Sequence, residues 1–248
     1  MKSKRFILPL LVSCFLFQTC DKTTEVEEID SLSRGLMAHY PFNGNADDAS
    51  GNGNHGIVVG ATLVPDRLDQ DNSAYLFDGV DDYIDLGNET MLKPVLPVTI
   101  AAWIKRIGAG NHILRINYSD TFRAGIWIGF EPMDEWLCVA YGDGGWMGDE
   151  DPWYIKYTEA ARAGSWFHLA ATISESNTIE IYLNGTKYEG AYSGSADSLY
   201  YDNGPVYIGK DFVLLDNPPL YFSGLLDDLR LYDRILSAQE IEDLYLRK

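Results

Sequence analysis

The chain has 248 residues, 46% hydrophobic and 23% charged, too apolar for disorder along its whole length and long enough for one large domain or two small ones. Lys and Arg number 19 against 37 Asp and Glu, a net charge of -18. That balance argues against nucleic acid as a partner, since such binders need cationic contacts to phosphates. It suits a neutral ligand, a cation or a solvated extracellular surface.

At the N terminus Lys2, Lys4 and Arg5 precede the apolar run 6–17. The run falls short of the ~20 residues that span a bilayer as a helix and matches a signal-peptide core. The cysteines Cys14, Cys20 and Cys138 give no disulfide framework. The stretch Phe17-Gln18-Thr19-Cys20-Asp21-Lys22 resembles the loose lipobox of Bacteroidetes-type lipoproteins, with Phe17 where Leu is usual. Leu11-Val12-Ser13-Cys14 fits that pattern better, but cutting there would halve the apolar run and leave Phe15-Leu16-Phe17 on the mature end. The resemblance implies a signal peptide over 1–19, lipidation at Cys20, and a lipid-anchored protein of the cell envelope, outer-membrane and surface-exposed. The acidic residues after Cys20 resemble a surface-export signal and equally read as a plain linker. Residues 20–34 read as an acidic flexible tether, and a single domain follows over 35–248.

The body is a series of short apolar runs bounded by Gly, Asn, Asp and Pro. Expected strands are 37–42, 56–63, 74–77, 83–86, 98–105, 112–116, 124–130, 136–141, 166–173, 178–183, 187–192, 206–209 and 224–232. Asn184-Gly185 between two of them is a strong hairpin signal, because both turn residues take positive φ. One helix is expected, and it comes last. Ser237 and Glu240 make a capping box ahead of Ile241, Leu244 and Tyr245 at helical spacing. Many strands and no βαβ series predict an all-β, two-sheet antiparallel sandwich or jelly roll.

Particular blocks then carry a family resemblance. They are Tyr40-Pro41-Phe42-Asn43-Gly44-Asn45, the stretch 48–56, Phe77-Asp78-Gly79-Val80-Asp81-Asp82-Tyr83, Thr99-Ile100-Ala101-Ala102-Trp103, Trp166-Phe167-His168, Leu183-Asn184-Gly185 and Gly224-Leu225-Leu226-Asp227-Asp228-Leu229-Arg230. In this order the chain resembles the laminin-G-like, concanavalin A-like lectin/glucanase superfamily. The resemblance implies a jelly roll of two curved sheets and a choice among lectins, glycosidases, lyases and adhesive domains. It also implies a structural Ca²⁺ between the 43–56 loop and the last strand. Ca²⁺ wants six to eight oxygens, and that loop is dense in Asn, Asp and Gly, which are also ordinary turn residues. The expected ligands are Asn43, Gly44 through its carbonyl, Asp48, Asn54 and Asp227. Asp227 alternates with Leu229 and Leu231, which would put it on their face. The Asp78–Asp82 stretch reads as an acidic hairpin tip in preference to a second metal site.

The E-x-D-x-E run of retaining glucanases, which sets carboxylates on one strand face, is absent. No histidine pair has zinc-site spacing and no serine sits in G-x-S-x-G. His168 and Cys138 read as structural, and the protein is not expected to be an enzyme. Residues 118–157 hold ten aromatics and eight Asp or Glu against two basic residues, which singles them out as ligand-binding. The part from Tyr141 to Trp153 reads as a long glycine-rich loop, and such loops often carry function. Sugar rings stack their C–H faces on aromatics while acids bind their hydroxyls. The expected glycan site is Trp127, Tyr141, Trp146 and Trp153 as platforms, with Asp143, Asp149 and Asp151 as acceptors. The reading is a surface-anchored, non-catalytic carbohydrate-binding or adhesion protein with one calcium. The alternatives are a structural or protein-interaction subunit of an envelope complex and, less favoured, a glycoside hydrolase or lyase.

Overall fold

The computed structural model describes residues 30–108, 112–117, 119, 122–131, 136–146, 153–158, 163–174, 178–211 and 220–247. The leader, Cys20, Asp149 and Asp151 lie outside the described residues, as does the side chain of Trp153. In chain order the strands are β1 (Leu36–Tyr40), β2 (Ile57–Val59), β3 (Thr62–Val64), β4 (Ala74–Asp78), β5 (Tyr83–Asp85) and β6 (Val98–Arg106). Next come β7 (His112–Ile116), β8 (Phe122–Phe130), β9 (Leu137–Trp146), β10 (Trp153–Thr158), β11 (Phe167–Ile173) and β12 (Ile179–Leu183). The series ends with β13 (Thr186–Tyr188), β14 (Ala191–Gly194), β15 (Val206–Ile208), β16 (Lys210–Asp211), β17 (Leu220–Tyr221) and β18 (Ser223–Tyr232), followed by helix α1 (Ala238–Leu246).

Two eight-stranded sheets form. The first runs β13-β12-β11-β6-β18-β4-β3, with β1 also on β18; the second runs β14-β10-β9-β8-β7-β15-β5-β2. All pairings are antiparallel, so the expected all-β jelly-roll sandwich is present. Alternate residues of the two sheets meet in one core, among them Tyr40, Phe77, Ile100, Ile126, Phe130, Tyr141 and Leu226. Each such side chain contributes about 1.5–3 kcal/mol by leaving water.

The run 56–63, expected as one strand, divides between sheets: β2 joins the second and β3 the first. Gly60 makes the crossing, at φ +78°, where a Cβ would lie 2.0 Å from Asp82 Oδ1. The run 187–192 divides in the same way into β13 and β14. The expected loop over 141–153 is another difference. β9 stays paired with β8 as far as Trp146, opposite Phe122, through a register shift between Ala124 and Phe122, and β10 begins at Trp153 opposite Gly142.

Helix α1 starts at the capping box read from sequence. Ser237 Oγ accepts from Glu240 N at 3.2 Å and Glu240 Oε2 accepts from Ser237 N at 2.8 Å. Its Ile241 and Leu244 pack with Ala101, Ala170, Tyr182 and Tyr232 on the outer face of the first sheet. Leu32 joins them, so the packed unit takes in residues 30–34, which the sequence assigns to the tether.

Candidate functional site

The outer face of the second sheet carries a cleft beside Trp127, the only tryptophan among the described side chains of β7 and β8. One residue from each strand forms a row across it: Ile57, Asp85, Tyr207, Arg115, Trp127, Ala140, Ile155 and Ser193. Strands lie about 4.8 Å apart, so the row is long enough for several sugar rings. Gly129, Cys138 and Ala140 are small and buried, and they lie on the same face beside the half-buried Trp127. A β-bulge in β7 between His112 and Leu114 brings His112 to the row's face, opposite Gly129. Trp127 Nε1 donates to His112 Nδ1 at 2.8 Å, and the two rings lie 5.3 Å apart. Asp211 competes for the same nitrogen, with Oδ2 3.1 Å from His112 Nδ1, so Nδ1 accepts from the indole when unprotonated and donates to Asp211 when protonated; Asp211 Oδ1 lies 3.5 Å from Arg115 Nε. His112, Arg115, Arg123, Trp127, Glu131, Ile155 and Asp211 enclose a cavity of about 300 Å³, within the range of small-ligand clefts. The arrangement holds an indole rigidly beside guanidinium and carboxylate groups, which is what a sugar's apolar face and hydroxyls require.

Of the expected glycan residues, Trp127 is in this cleft. Tyr141 is not: it is buried in the core and its hydroxyl donates to Ala196 O at 3.2 Å. Leu137, Val139 and Tyr141 alternate on the core face of β9, which removes Tyr141 as a surface platform. Burial pushes its hydroxyl up to about 12. Asp143 accepts from Gly145 N at 2.8 Å and so braces the end of β9. Trp146 is 62% exposed at that end and is not among the cavity's lining residues. Reasoning from sequence missed His112, Arg115, Arg123, Glu131 and Asp211. Alternation within β7, where Arg115 falls between the core residues Leu114 and Ile116, was the available cue for Arg115, whereas the β7 bulge hides His112.

The expected calcium ligands sit at the other sheet. Asp48 Oδ1 accepts from His39 N (3.0 Å) and Ser50 N (2.8 Å), and Oδ2 accepts from Asn54 N (3.0 Å). These bonds hold the Asp48 carboxyl below its usual range, although burial alone would raise it. Asn54 Nδ2 donates to Met37 O and Asn54 O accepts from the Tyr40 hydroxyl. Asp48 and Asn54 thus meet each other and close the loop. Gly44 takes φ +90° and donates its amide to Asn72 O. Asn43 and Asp227 line a separate cleft of about 510 Å³ with His39, Asp66, Arg67, Asp228, Arg230 and Arg247.

Asp227 does not share a face with Leu229 and Leu231. Between Asp227 and Arg230, β18 advances three residues while β6 advances two, from Trp103 to Ala101. This bulge reverses the alternation. Leu226, Leu229 and Leu231 face the core, while Asp227 lies opposite Trp103 on the outer side, 3% exposed. There its Oδ2 accepts from Arg67 Nη1. Burial pushes the Asp227 carboxyl up to about 7 against the lowering pull of Arg67. As placed, these residues do not fit one calcium shell, because Asp48 is engaged by amides and Asp227 by a guanidinium. Asp78, Asp81 and Asp82 do converge, but Asp78 Oδ1 caps the Val80 amide and Asp82 Oδ2 caps that of Asp78, as in an acidic turn.

A family model described as concanavalin A-like lectin/glucanases superfamily matches residues 78–242, more than half of the chain. No curated protein matches. Among solved structures, domain 4 of AbnA, a GH43 extracellular arabinanase from Geobacillus stearothermophilus solved with arabinotriose, aligns at 21% identity and TM-score 0.55, covering 85% of this chain and 98% of that one. The binding domain of botulinum neurotoxin serotype D aligns at 15% identity and TM-score 0.59, over 87% of this chain and 52% of that one. A Trypanosoma rangeli sialidase mutant displaying trans-sialidase activity aligns at 16% identity and TM-score 0.60, over 86% and 33%. This chain thus spans about half of the toxin domain and a third of the sialidase, and at these identities the likeness speaks for the fold. With the matched family model, the two sheets and their order, the chain belongs to the concanavalin A-like lectin/glucanase superfamily.

Proposed function

We propose that the protein binds carbohydrate without catalysis, through the Trp127 cleft on the outer face of the second sheet. The observation that carries this reading is Trp127 itself, half-buried in a cleft, bonded to His112 and flanked by charged groups. The AbnA domain, solved with arabinotriose, supports a sugar ligand for this fold. A glycan array on the intact chain is the primary test. Trp127→Ala is expected to weaken the best array hit by about 30-fold, roughly 2 kcal/mol for a lost aromatic anchor, with an unchanged far-UV spectrum. A folded Trp127→Ala that binds the same glycan at full strength would move the site elsewhere.

We further propose that the domain is held at the cell envelope through lipidated Cys20. Cys20→Ser should move the protein from the membrane fraction to the soluble fraction. A variant that still sediments with membranes would remove the anchor.

A further inference from the structure

The cleft on the first sheet gathers carboxylates and cations in equal measure, and each has a partner. Asp228 Oδ1 takes His39 Nε2 at 2.7 Å and Arg230 Nη2 at 2.9 Å. Arg247 Nη2 goes to Asp30 Oδ2 at 2.6 Å. Asp66 Oδ1 accepts from the amides of Leu68 and Gln70 and so shapes the loop that presents Arg67. That leaves Arg67 for Asp227. The guanidinium is held on three sides: Nη1 donates to Asp227 Oδ2, Nη2 donates to Arg247 O at 3.0 Å, and the ring of Trp103 lies 4.6 Å from its centre. Both charged side chains are nearly out of solvent, at 10% and 4%.

We infer that Arg67 is the resident cation of this cleft: a side chain of the protein takes the place at Asp227 that a calcium ion would otherwise fill, and the fold does not depend on metal. A buried carboxylate needs a positive partner. Here the need is acute, because Asp66 and Asp228 add negative charge around Asp227. A guanidinium meets it with a planar fork that bonds the carboxylate and a carbonyl while stacking on an indole. A calcium ion would need six to eight oxygens, and its place is taken. Removing the guanidinium leaves the oxygens of Asn43, Asp66, Gln70 and Asp227 around the same cleft, with Asp228 still held by His39 and Arg230. The inference is independent of the sugar site.

The test is thermal unfolding of the intact chain in 1 mM EDTA and in ~5 mM CaCl₂, a concentration chosen to saturate a weak millimolar site. The wild-type midpoint should agree in the two buffers to within about 1 °C. Arg67→Ala should melt several degrees lower in EDTA, on the scale of about 4 °C or more that one lost interaction gives, and CaCl₂ should restore at least half of that loss. Two further variants keep the test decisive if Arg67→Ala does not fold. Arg67→Lys keeps the charge and should stay close to wild type in EDTA. Arg67→Ala combined with Asp227→Asn needs no cation, and it should fold and ignore calcium. A wild type stabilised by CaCl₂ through Asp227, or an Arg67→Ala protein that calcium does not raise, overturns the inference.

Discussion

Replacing Asp228 with alanine should lower the stability of the protein by about 3–5 kcal/mol, the scale set by breaking a buried ion pair from one side. Asp228 Oδ1 accepts from Arg230 Nε at 3.0 Å and lies 2.7 Å from His39 Nε2. Burial alone would raise its carboxyl, but the His39 hydrogen bond and the Arg230 charge hold it well below the usual carboxylate range. Alanine would leave Arg230, itself buried, without its carboxylate. It would also put a Cβ residue at φ +51°, a conformation that Asp and Asn tolerate better than Ala. Asp228→Asn should therefore cost less, since it keeps the backbone preference and loses only the charge. Urea unfolding at pH 7 separates the three proteins. A loss below about 1 kcal/mol for Asp228→Ala would put this pair in the class of surface ion pairs and remove the argument.

The same residue decides where the neighbouring chemistry lies. Asp228 is at the bulge of β18, where that strand changes its partner from β4 to β1. Without the extra residue, Asp227 would fall on the core face with Leu229. With it, Asp227 faces Trp103 and Arg67 on the outer side of the sheet. The bulge thus sets which carboxylates line the cleft.

This is also where the sequence stops being legible. Period-2 alternation finds most of the strands, and Ser237 with Glu240 finds the helix start, because both signals are local. A bulge is set by the partner strand. Nothing within 223–232 states that β6 advances two residues while β18 advances three. The glycines of β9 mislead for a related reason. Gly142 and Gly144 read as loop residues, yet a Cβ at Gly142 would lie 2.1 Å from Arg123 O, and one at Gly144 would lie 2.7 Å from the Tyr200 ring. Both are small so that other segments can approach, and Gly144 also takes φ +87° within its strand. Tyr141 was legible: Leu137, Val139 and Tyr141 alternate, and the alternation places the ring in the core. The candidate sugar site was half legible. Trp127 is visible as an outward residue of an apolar strand, but His112 and Asp211 reach it only through the β7 bulge and the β15–β16 corner.

His168 should make the fold sensitive to acid well above the range in which exposed carboxylates titrate. It lies on β11 opposite Trp103, 5.4 Å from that ring and 6.3 Å from the ring of Tyr245. Its Nδ1 is buried without a hydrogen-bond partner. Burial pushes its ring down to about 4, and the charges of Arg67 and Arg230 add to that against the pull of Asp228. In the unfolded chain a histidine titrates near ~6.5, so below that pH the unfolded state binds the proton first. The stabilising contribution is complete above about pH 6.5, falls as pH drops, and is gone near pH 4. Across that window the loss is about 3 kcal/mol, at ~1.4 kcal/mol per unit. Asp227, raised to about 7, works in the opposite direction over part of the same range, so the bare pH profile mixes the two. The difference between wild type and His168→Leu isolates the histidine. Leucine cannot take the proton, and the gap between the two proteins should shift by about 3 kcal/mol in favour of the variant between pH 7 and pH 4. Parallel urea-unfolding profiles for the two proteins over that range would show that His168 is free to protonate within the fold. Its packing beside Trp103 and Tyr245 would then be looser than the ring distances state.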